Sequence, residues 1–141
     1  MATLWARTVT FENISVGDHL PVVIKWETAD TIERYNIILL ATDPNAKTAE
    51  ISETLNPVKL TDYVKESLLK GFPPASLDHP SSKLEVQVNL EVNAEDIISI
   101  EGVVTKKETA GGANTVECAV VIERQDKEIV ATATAIMGLT S

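Results

Sequence analysis

The 141-residue sequence has only one cysteine, Cys118, and two histidines, His19 and His79. One cysteine excludes a disulfide within the chain, and with two distant histidines it makes no recognisable zinc-ligand set. The six glycines are scattered and match neither a phosphate-binding loop nor a dinucleotide-binding turn. A nucleophile elbow, G-x-S-x-G, is missing as well. We therefore expect no metal, no cofactor and no serine-triad chemistry.

Basic residues are also scarce. Twelve Lys and Arg residues stand against 21 Asp and Glu residues, so the formal net charge is −9. Because nucleic-acid binding depends on cations that neutralise phosphates, we expect no nucleic-acid partner. The longest aliphatic run, residues 37–41, is far shorter than the roughly 20 apolar residues that cross a bilayer. The first residues, MATLWARTVTF, contain no apolar core of a secretory signal, so we expect a cytoplasmic protein without membrane contact.

The composition, 44% hydrophobic and 23% charged, is that of a globular protein, and the length predicts a single domain over residues 1–141. The second half contains the clearest strand patterns, at residues 84–92, 97–105, 115–124 and 128–137. Short polar or glycine-containing connections separate them, which predicts an antiparallel meander of four strands. Cys118 alternates with valines there and is predicted to be a small buried hydrophobe.

The first half predicts one strand and two helices. The strand covers residues 20–26 (LPVVIKW), and the next helix should begin at Asp30 as N-cap, with Glu33 closing a capping box. A second helix is predicted from about residue 60 to residue 70, ended by Gly71 and the following prolines. Strand, two helices and four strands make an α+β fold, in which an antiparallel sheet wraps around a helix.

Several strings resemble, in the same order, the MaoC-like dehydratases and (R)-specific enoyl-CoA hydratases. They are FENISVGD at residues 11–18, EVNAEDIISIEGVVTKKE at 91–108 and EIVATATAIMGL at 128–139. Glu95 stands where that family usually has glycine. The resemblance covers nearly the whole chain and implies a hotdog fold, in which an antiparallel sheet wraps around a central helix. It also implies a dimer with an acyl-thioester tunnel between the subunits.

The chemistry that the resemblance implies is the addition of water to an enoyl thioester, or its removal from a 3-hydroxyacyl thioester. Family enzymes move the proton with an aspartate and a histidine from a D-x-N-P-[IV]-H segment after the first helix. A His-Gly pair at the start of the central helix supplies a backbone N–H to the thioester carbonyl. No glycine occurs between Gly17 and Gly71, so that pair is missing here.

The catalytic segment departs from the family pattern. Counted without gaps, the aspartate and histidine positions are occupied by Ala41 and Ala46, and Pro44 is retained. A register shifted by two residues places Asp43 and Asn45 on the aspartate and asparagine, but it also lacks the histidine. Asp43 and Asn45 are therefore the candidate catalytic residues, although the same residues suit an ordinary turn after a helix.

Other candidates are open to two interpretations. Asp78 and His79, in the predicted loop 73–82, could form a displaced dyad, although loop histidines are generally solvated. Lys106 and Lys107 are candidate substrate-binding residues that could meet the phosphates of coenzyme A or of a carrier protein's phosphopantetheine. Paired lysines beside a loop in an acidic protein are, however, more often simply solvated.

Together these observations favour a catalytically degenerate subunit. It would bind an acyl-CoA or acyl-carrier thioester while a second hotdog subunit supplies the Asp/His pair for hydration or dehydration. Two alternatives stay open. One is an active homodimeric (R)-enoyl-CoA hydratase or hotdog thioesterase that uses Asp43; the other is a non-enzymatic acyl-binding dimer.

Overall fold

A computed structural model describes residues 2–34 and 55–139. Within these residues the strands are β1 Val23–Trp26, β2 Lys83–Val88, β3 Ile97–Ala110, β4 Ala113–Arg124 and β5 Ile129–Leu139. The helices are α1 Pro57–Gly71 and α2 Pro74–Leu77, and residues 29–34 are helical as well. No helix in this part of the chain is long and apolar enough to cross a membrane.

The strands form one antiparallel sheet in the order β1-β3-β4-β5-β2. The predicted meander is correct for β3, β4 and β5, but the position expected for the strand at residues 84–92 is wrong. That strand ends at Val88 and pairs with β5 at the far edge instead of with β3. Alternation of apolar and polar residues determines which side chains share a face, but it contains no information about the neighbouring strand.

Two turns in the sheet follow directly from their residues. Gly111 and Gly112, with φ of +59° and +81°, join β3 to β4 in a two-residue hairpin. A turn with positive φ at both central positions matches the twist of the flanking strands and favours glycine. The predicted turn at residues 125–127 joins β4 to β5, and Lys127 has a φ of +70° there.

Helix α1 packs its apolar stripe against the sheet. Leu60, Val64 and Leu68 are all buried, as their spacing of four predicts. The helix begins at Pro57, three residues earlier than expected, because Asn56 caps it and proline suits the first turn. The predicted loop at residues 73–82 contains one turn of helix, α2.

The helix at residues 29–34 begins differently from the expectation. Thr28, not Asp30, is the capping residue: the Thr31 amide donates to Thr28 Oγ1 at 3.1 Å, and the Thr28 amide donates to Thr31 Oγ1 at 2.9 Å. Asp30 already lies in the first turn and pairs with Arg34 at 3.2 Å. The prediction was wrong because a reciprocal pair of threonine hydroxyls satisfies both amides without Glu33.

Cys118 is fully buried in β4, as predicted. Burial, with a smaller contribution from the charge of Glu117, raises the pKa of the Cys118 thiol to about 12. The side chain is therefore a neutral thiol near pH 7 and contributes packing in the sheet interior.

Leu20 joins the N-terminal segment to both layers of the fold. Its amide donates to the Gly102 carbonyl at 2.9 Å, and its side chain is buried. A Cβ added to Gly102 would lie 2.4 Å from Leu20 Cδ1, and one added to Gly71 would lie 2.4 Å from Leu20 Cδ2. The two glycines, one in β3 and one at the end of α1, thus form the slot that holds Leu20.

We expect Gly102→Ala to lower the free energy of unfolding by about 1–3 kcal/mol, because Leu20 is confined on both sides and cannot move away. Leu20→Ala should cost about 2–5 kcal/mol. In the double variant the loss should be clearly smaller than the sum, since each change relieves the other. Urea denaturation measures all three values, with Val16→Ala as an exposed control. Additive losses would contradict the slot.

Candidate functional site

The start of helix α1 is where the family pattern requires a backbone donor for a thioester carbonyl. Pro57 has no N–H, and the Val58 amide donates to Asn56 Oδ1 at 3.0 Å. The Lys59 amide donates to the Asn56 carbonyl, also at 3.0 Å. The first turn therefore uses its own amides, and none of these three positions offers a free N–H to a ligand.

A buried glutamate lies close to this helix start. Glu27 follows β1 directly and is only 1% exposed. Its Oε1 accepts a hydrogen bond from the Tyr63 hydroxyl of α1. Its Oε2 accepts from Thr31 Oγ1 at 2.9 Å and lies 3.8 Å from Lys59 Nζ. One carboxylate thus connects the end of β1, the helix at residues 29–34 and helix α1.

Two lysines flank Tyr63 in the same cluster. Lys25 Nζ and Lys59 Nζ lie 5.2 and 5.4 Å from the centre of the Tyr63 ring, within the range of cation–π attraction. Lys25 also pairs with Glu66 of α1 at 3.0 Å. Lys59 Nζ lies within ion-pair distance of the buried Glu27 carboxylate, which offsets part of the free-energy cost of burying that charge.

We call Glu27, Thr31, Lys59 and Tyr63 the polar cluster. Both carboxylate oxygens of Glu27 have partners, whereas a general base needs an oxygen directed at the proton that it removes. The geometry therefore supports a structural connection between three segments. The sequence analysis did not identify Glu27; the signal available was that Val23, Lys25 and Glu27 alternate along one side of the β1 region.

Two cavities adjoin helix α1. The larger, about 360 Å³, lies between α1, α2, β2 and β5. Its apolar lining includes Leu68, Leu84 and Met137, and the exposed Lys65 and Lys83 lie beside it. The smaller, about 230 Å³, lies between the start of α1 and residues 88–92.

Four predicted site residues, Ala41, Asp43, Asn45 and Ala46, lie outside the described residues. Of the two predicted lysines, Lys106 is exposed and pairs with Glu108 at 3.3 Å. Lys107 donates to the Ile14 carbonyl at 3.0 Å, and its Nζ lies 4.5 Å from the centre of the Phe11 ring. Lys107 thus holds the N-terminal segment against β3. A role for either lysine in substrate binding stays a prediction.

Neither histidine forms an ion pair with a carboxylate within the part of the chain that the structure describes. His19 is exposed, and its backbone bridges Thr3 and Val103. His79 is half-buried; its Nδ1 accepts from the Ser81 amide at 3.1 Å, and its ring occupies the space that a Cβ on Gly138 would need. Residues 2–34 and 55–139 contain no group of three acidic, histidine or cysteine side chains that could hold a metal.

Comparison with known proteins gives structural neighbours only, since no protein-family model and no curated protein matches the chain. The (R)-hydratase PhaJ1 from Pseudomonas aeruginosa matches with a TM-score of 0.70 at 12% identity, over 94% of this chain and 86% of that one. A MaoC-like dehydratase from Rhodospirillum rubrum matches with 0.69 at 14% identity, over 94% and 97%. The ChsH1-ChsH2 complex from Mycobacterium tuberculosis matches with 0.65 at 16% identity, over 89% and 98%.

These likenesses confirm the predicted fold. The chain has the hotdog fold, an α+β arrangement in which the five-stranded antiparallel sheet packs on helix α1. Its structural neighbours include an (R)-hydratase and a MaoC-like dehydratase, the two groups that the sequence strings resemble.

The buried hydrogen bond between Tyr63 and Glu27 should contribute more to stability than the partly exposed ion pair between Lys25 and Glu66. Tyr63→Phe removes the donor to a buried carboxylate and should lower the free energy of unfolding by about 1–3 kcal/mol. Glu66→Gln, the control, breaks a partly exposed pair with Lys25 and should cost less than about 1 kcal/mol. Chemical denaturation of both variants measures the two losses in the free energy of unfolding. A Tyr63→Phe variant as stable as the parent protein would show that the Tyr63 hydrogen bond contributes nothing.

Proposed function

We propose that this chain is a MaoC-like hotdog subunit that binds an acyl-CoA or acyl-carrier thioester without catalysing its hydration alone. A second hotdog subunit with an intact D-x-N-P-[IV]-H segment would supply the aspartate, the histidine and the carbonyl donor. The assembly would then add water to an enoyl thioester or remove it from a 3-hydroxyacyl thioester.

The observation that carries the proposal is a hydratase-like fold in which residues 2–34 and 55–139 provide neither a histidine–carboxylate ion pair nor an unbonded amide at positions 57–59. The structural neighbours are described as an (R)-hydratase and a MaoC-like dehydratase. In this chain, no histidine within residues 2–34 and 55–139 pairs with a carboxylate. The first amides of α1 are absent at Pro57 or already bonded at Val58 and Lys59. Hydration needs both a base and a donor at the developing enolate oxygen.

The larger cavity, between α1, α2, β2 and β5, supports a role in ligand binding, and we call it the acyl groove. Its volume of about 360 Å³ lies within the range of small-molecule sites, about 300–1,000 Å³. An apolar lining with Leu68, Leu84 and Met137 suits a hydrocarbon chain, because burial removes apolar surface from water. Lys65 and Lys83 beside the groove could pair with phosphates of the coenzyme, and Lys106 stays a second candidate.

Strand β2 supports a partner next to the same groove. It is an edge strand of the sheet and one wall of the acyl groove. An edge strand presents unpaired N–H and C=O groups that can pair with a strand of another chain. The ChsH1-ChsH2 structure among the neighbours is a complex of two differently named proteins. We propose that the catalytic subunit adds its sheet at β2, so that the groove becomes enclosed between the subunits.

The central test is reconstitution. The candidate partner is a short hotdog chain with D-x-N-P-[IV]-H, sought first in the adjacent open reading frame. We expect the two purified chains to co-elute and to hydrate crotonyl-CoA, measured as loss of the enoyl-thioester absorbance, with the mixture clearly faster than either chain. Hydration by this chain alone, lost in Asp43→Asn, would contradict the proposal and favour the active homodimer. Release of free coenzyme A by this chain alone would instead favour a thioesterase.

Ligand binding is tested separately. Crotonyl-CoA should raise the melting temperature of the chain, because a ligand that binds only the folded state stabilises it by mass action. Leu84→Glu places a charge in the apolar lining and should abolish that rise, whereas Val16→Glu, at an exposed position outside the groove, should retain it. Equal stabilisation of both variants would rule out the acyl groove as the binding site.

A further inference from the structure

Strand β1 has charged residues on its inner side next to the buried Val23, and apolar residues on its outer side. Lys25 and the adjoining Glu27 are directed inward, where Lys25 pairs with Glu66 and Glu27 accepts from Tyr63. The alternating apolar residues, Ile24 and Trp26, are consequently on the outside and are 67% and 61% exposed. A sheet face that met only water would carry polar residues at these positions.

The strand register gathers further apolar side chains on the same face. Trp26 of β1 is paired with Ile97 of β3. Ile24 is paired with Ser99 of β3, Ser99 with Glu123 of β4, and Glu123 with Ile129 of β5. Cross-strand partners share one face of a sheet. Ile24, Trp26, Ile97 and Ile129 therefore lie on one face of the sheet, with Ser99 and Glu123 between Ile24 and Ile129, and we call these four residues the outer patch. Ile97 and Ile129 are each 44% exposed.

Trp26 is held in a defined orientation. Its indole Nε1 donates to Glu95 Oε2 at 3.2 Å. Glu95 has a φ of +75°, a left-handed conformation that is uncommon for residues other than glycine. This is also the position where the sequence resemblance expects glycine. Glu95 thus adopts a strained backbone conformation while its carboxylate accepts a hydrogen bond from an exposed tryptophan. This combination favours a role of the oriented indole in binding a partner. Fixed tryptophans are frequent anchors of protein interfaces.

The charges around the outer patch are acidic. Glu95 bonds to Trp26, Glu123 lies in register between Ser99 and Ile129, and Glu101 follows two residues after Ser99 on β3. The basic residues nearest to these positions in sequence either form ion pairs with carboxylates or stand between two acidic residues. Lys25 pairs with Glu66, Arg124 pairs with Asp126, and Lys127 stands between Asp126 and Glu128.

This charge pattern decides between a second copy and a different partner. Two copies joined through the outer patch would bring their glutamates together, and each chain has a net charge of −9. Like charges across an interface disfavour association, whereas complementary charges favour it. We infer that the outer patch is a docking surface for a different protein, whose contact face has an apolar centre bordered by lysine or arginine side chains.

The docking surface is separate from the proposed thioester site. The outer patch lies on the outer face, on β1 and at the starts of β3 and β5, while the acyl groove lies between β2, the later part of β5 and the helices. One molecule could therefore hold both partners at once. A test at the outer patch needs no thioester, so its failure and the failure of the proposed function are distinguishable.

The partner is identified by site-specific photo-cross-linking in the cells that express the chain, with the photoreactive residue benzoylphenylalanine replacing Ile24. The same replacement at Val16 is the control for nonspecific capture. The cross-linked protein is then purified and titrated against the parent chain. We expect Trp26→Ala to weaken binding at least tenfold. Trp5→Ala, which removes a tryptophan that is 55% exposed elsewhere, should change binding less than twofold.

Charge reversal tests the acidic border. The double variant Glu101→Lys and Glu123→Lys should weaken binding at least fivefold at low salt, with less effect at high salt because exposed charges are screened. Melting temperatures confirm that each variant is folded. The inference is overturned if position 24 captures nothing beyond the control, if it captures a second copy of this chain, or if the partner binds Trp26→Ala as tightly as the parent chain.

Discussion

The buried carboxylate of Glu27 is the constraint on which the rest of the site region depends. A charge removed from water needs partners on each oxygen, and here they come from two segments: Thr31 of the helix at residues 29–34, and Tyr63 and Lys59 of α1. In strand β1, Val23 and Lys25 lie on the same side as Glu27, toward the core and helix α1. Ile24 and Trp26 alternate with them and therefore lie on the outer face. A polar connection inside the fold and an apolar surface outside it are thus two consequences of one strand orientation.

A connection of this kind contributes more to specificity than to stability. An ion pair taken out of water regains little net free energy, but removal of one member leaves an uncompensated charge. The polar cluster therefore favours one arrangement of β1, the helix at residues 29–34 and α1 over alternatives that are equally apolar. The acyl groove, by contrast, is formed by apolar packing between the other end of α1 and the far edge of the sheet. The two ends of the central helix thus have different physical roles.

Several features were predictable because they depend on residues close in the sequence. The double-glycine turn follows from the positive φ that only glycine adopts freely, and the burial of Cys118 follows from alternation with valines. The α1 stripe of Leu60, Val64 and Leu68 follows from helical spacing. The position of β2 was not predictable in the same way. Its amides are equally able to pair with β3 or β5, and the choice depends on packing of residues distant in sequence.

The sequence by itself determined the strands and helix α1, the buried face of β4, and the scarcity of imidazole, since these depend on local periodicity and on composition. Only the tertiary structure decided that β2 closes the far edge and that Glu27 is buried. It also decided that Trp26 meets Glu95. Each of these depends on atoms separated by tens of residues, and such contacts form only when the whole sheet has closed on its helix.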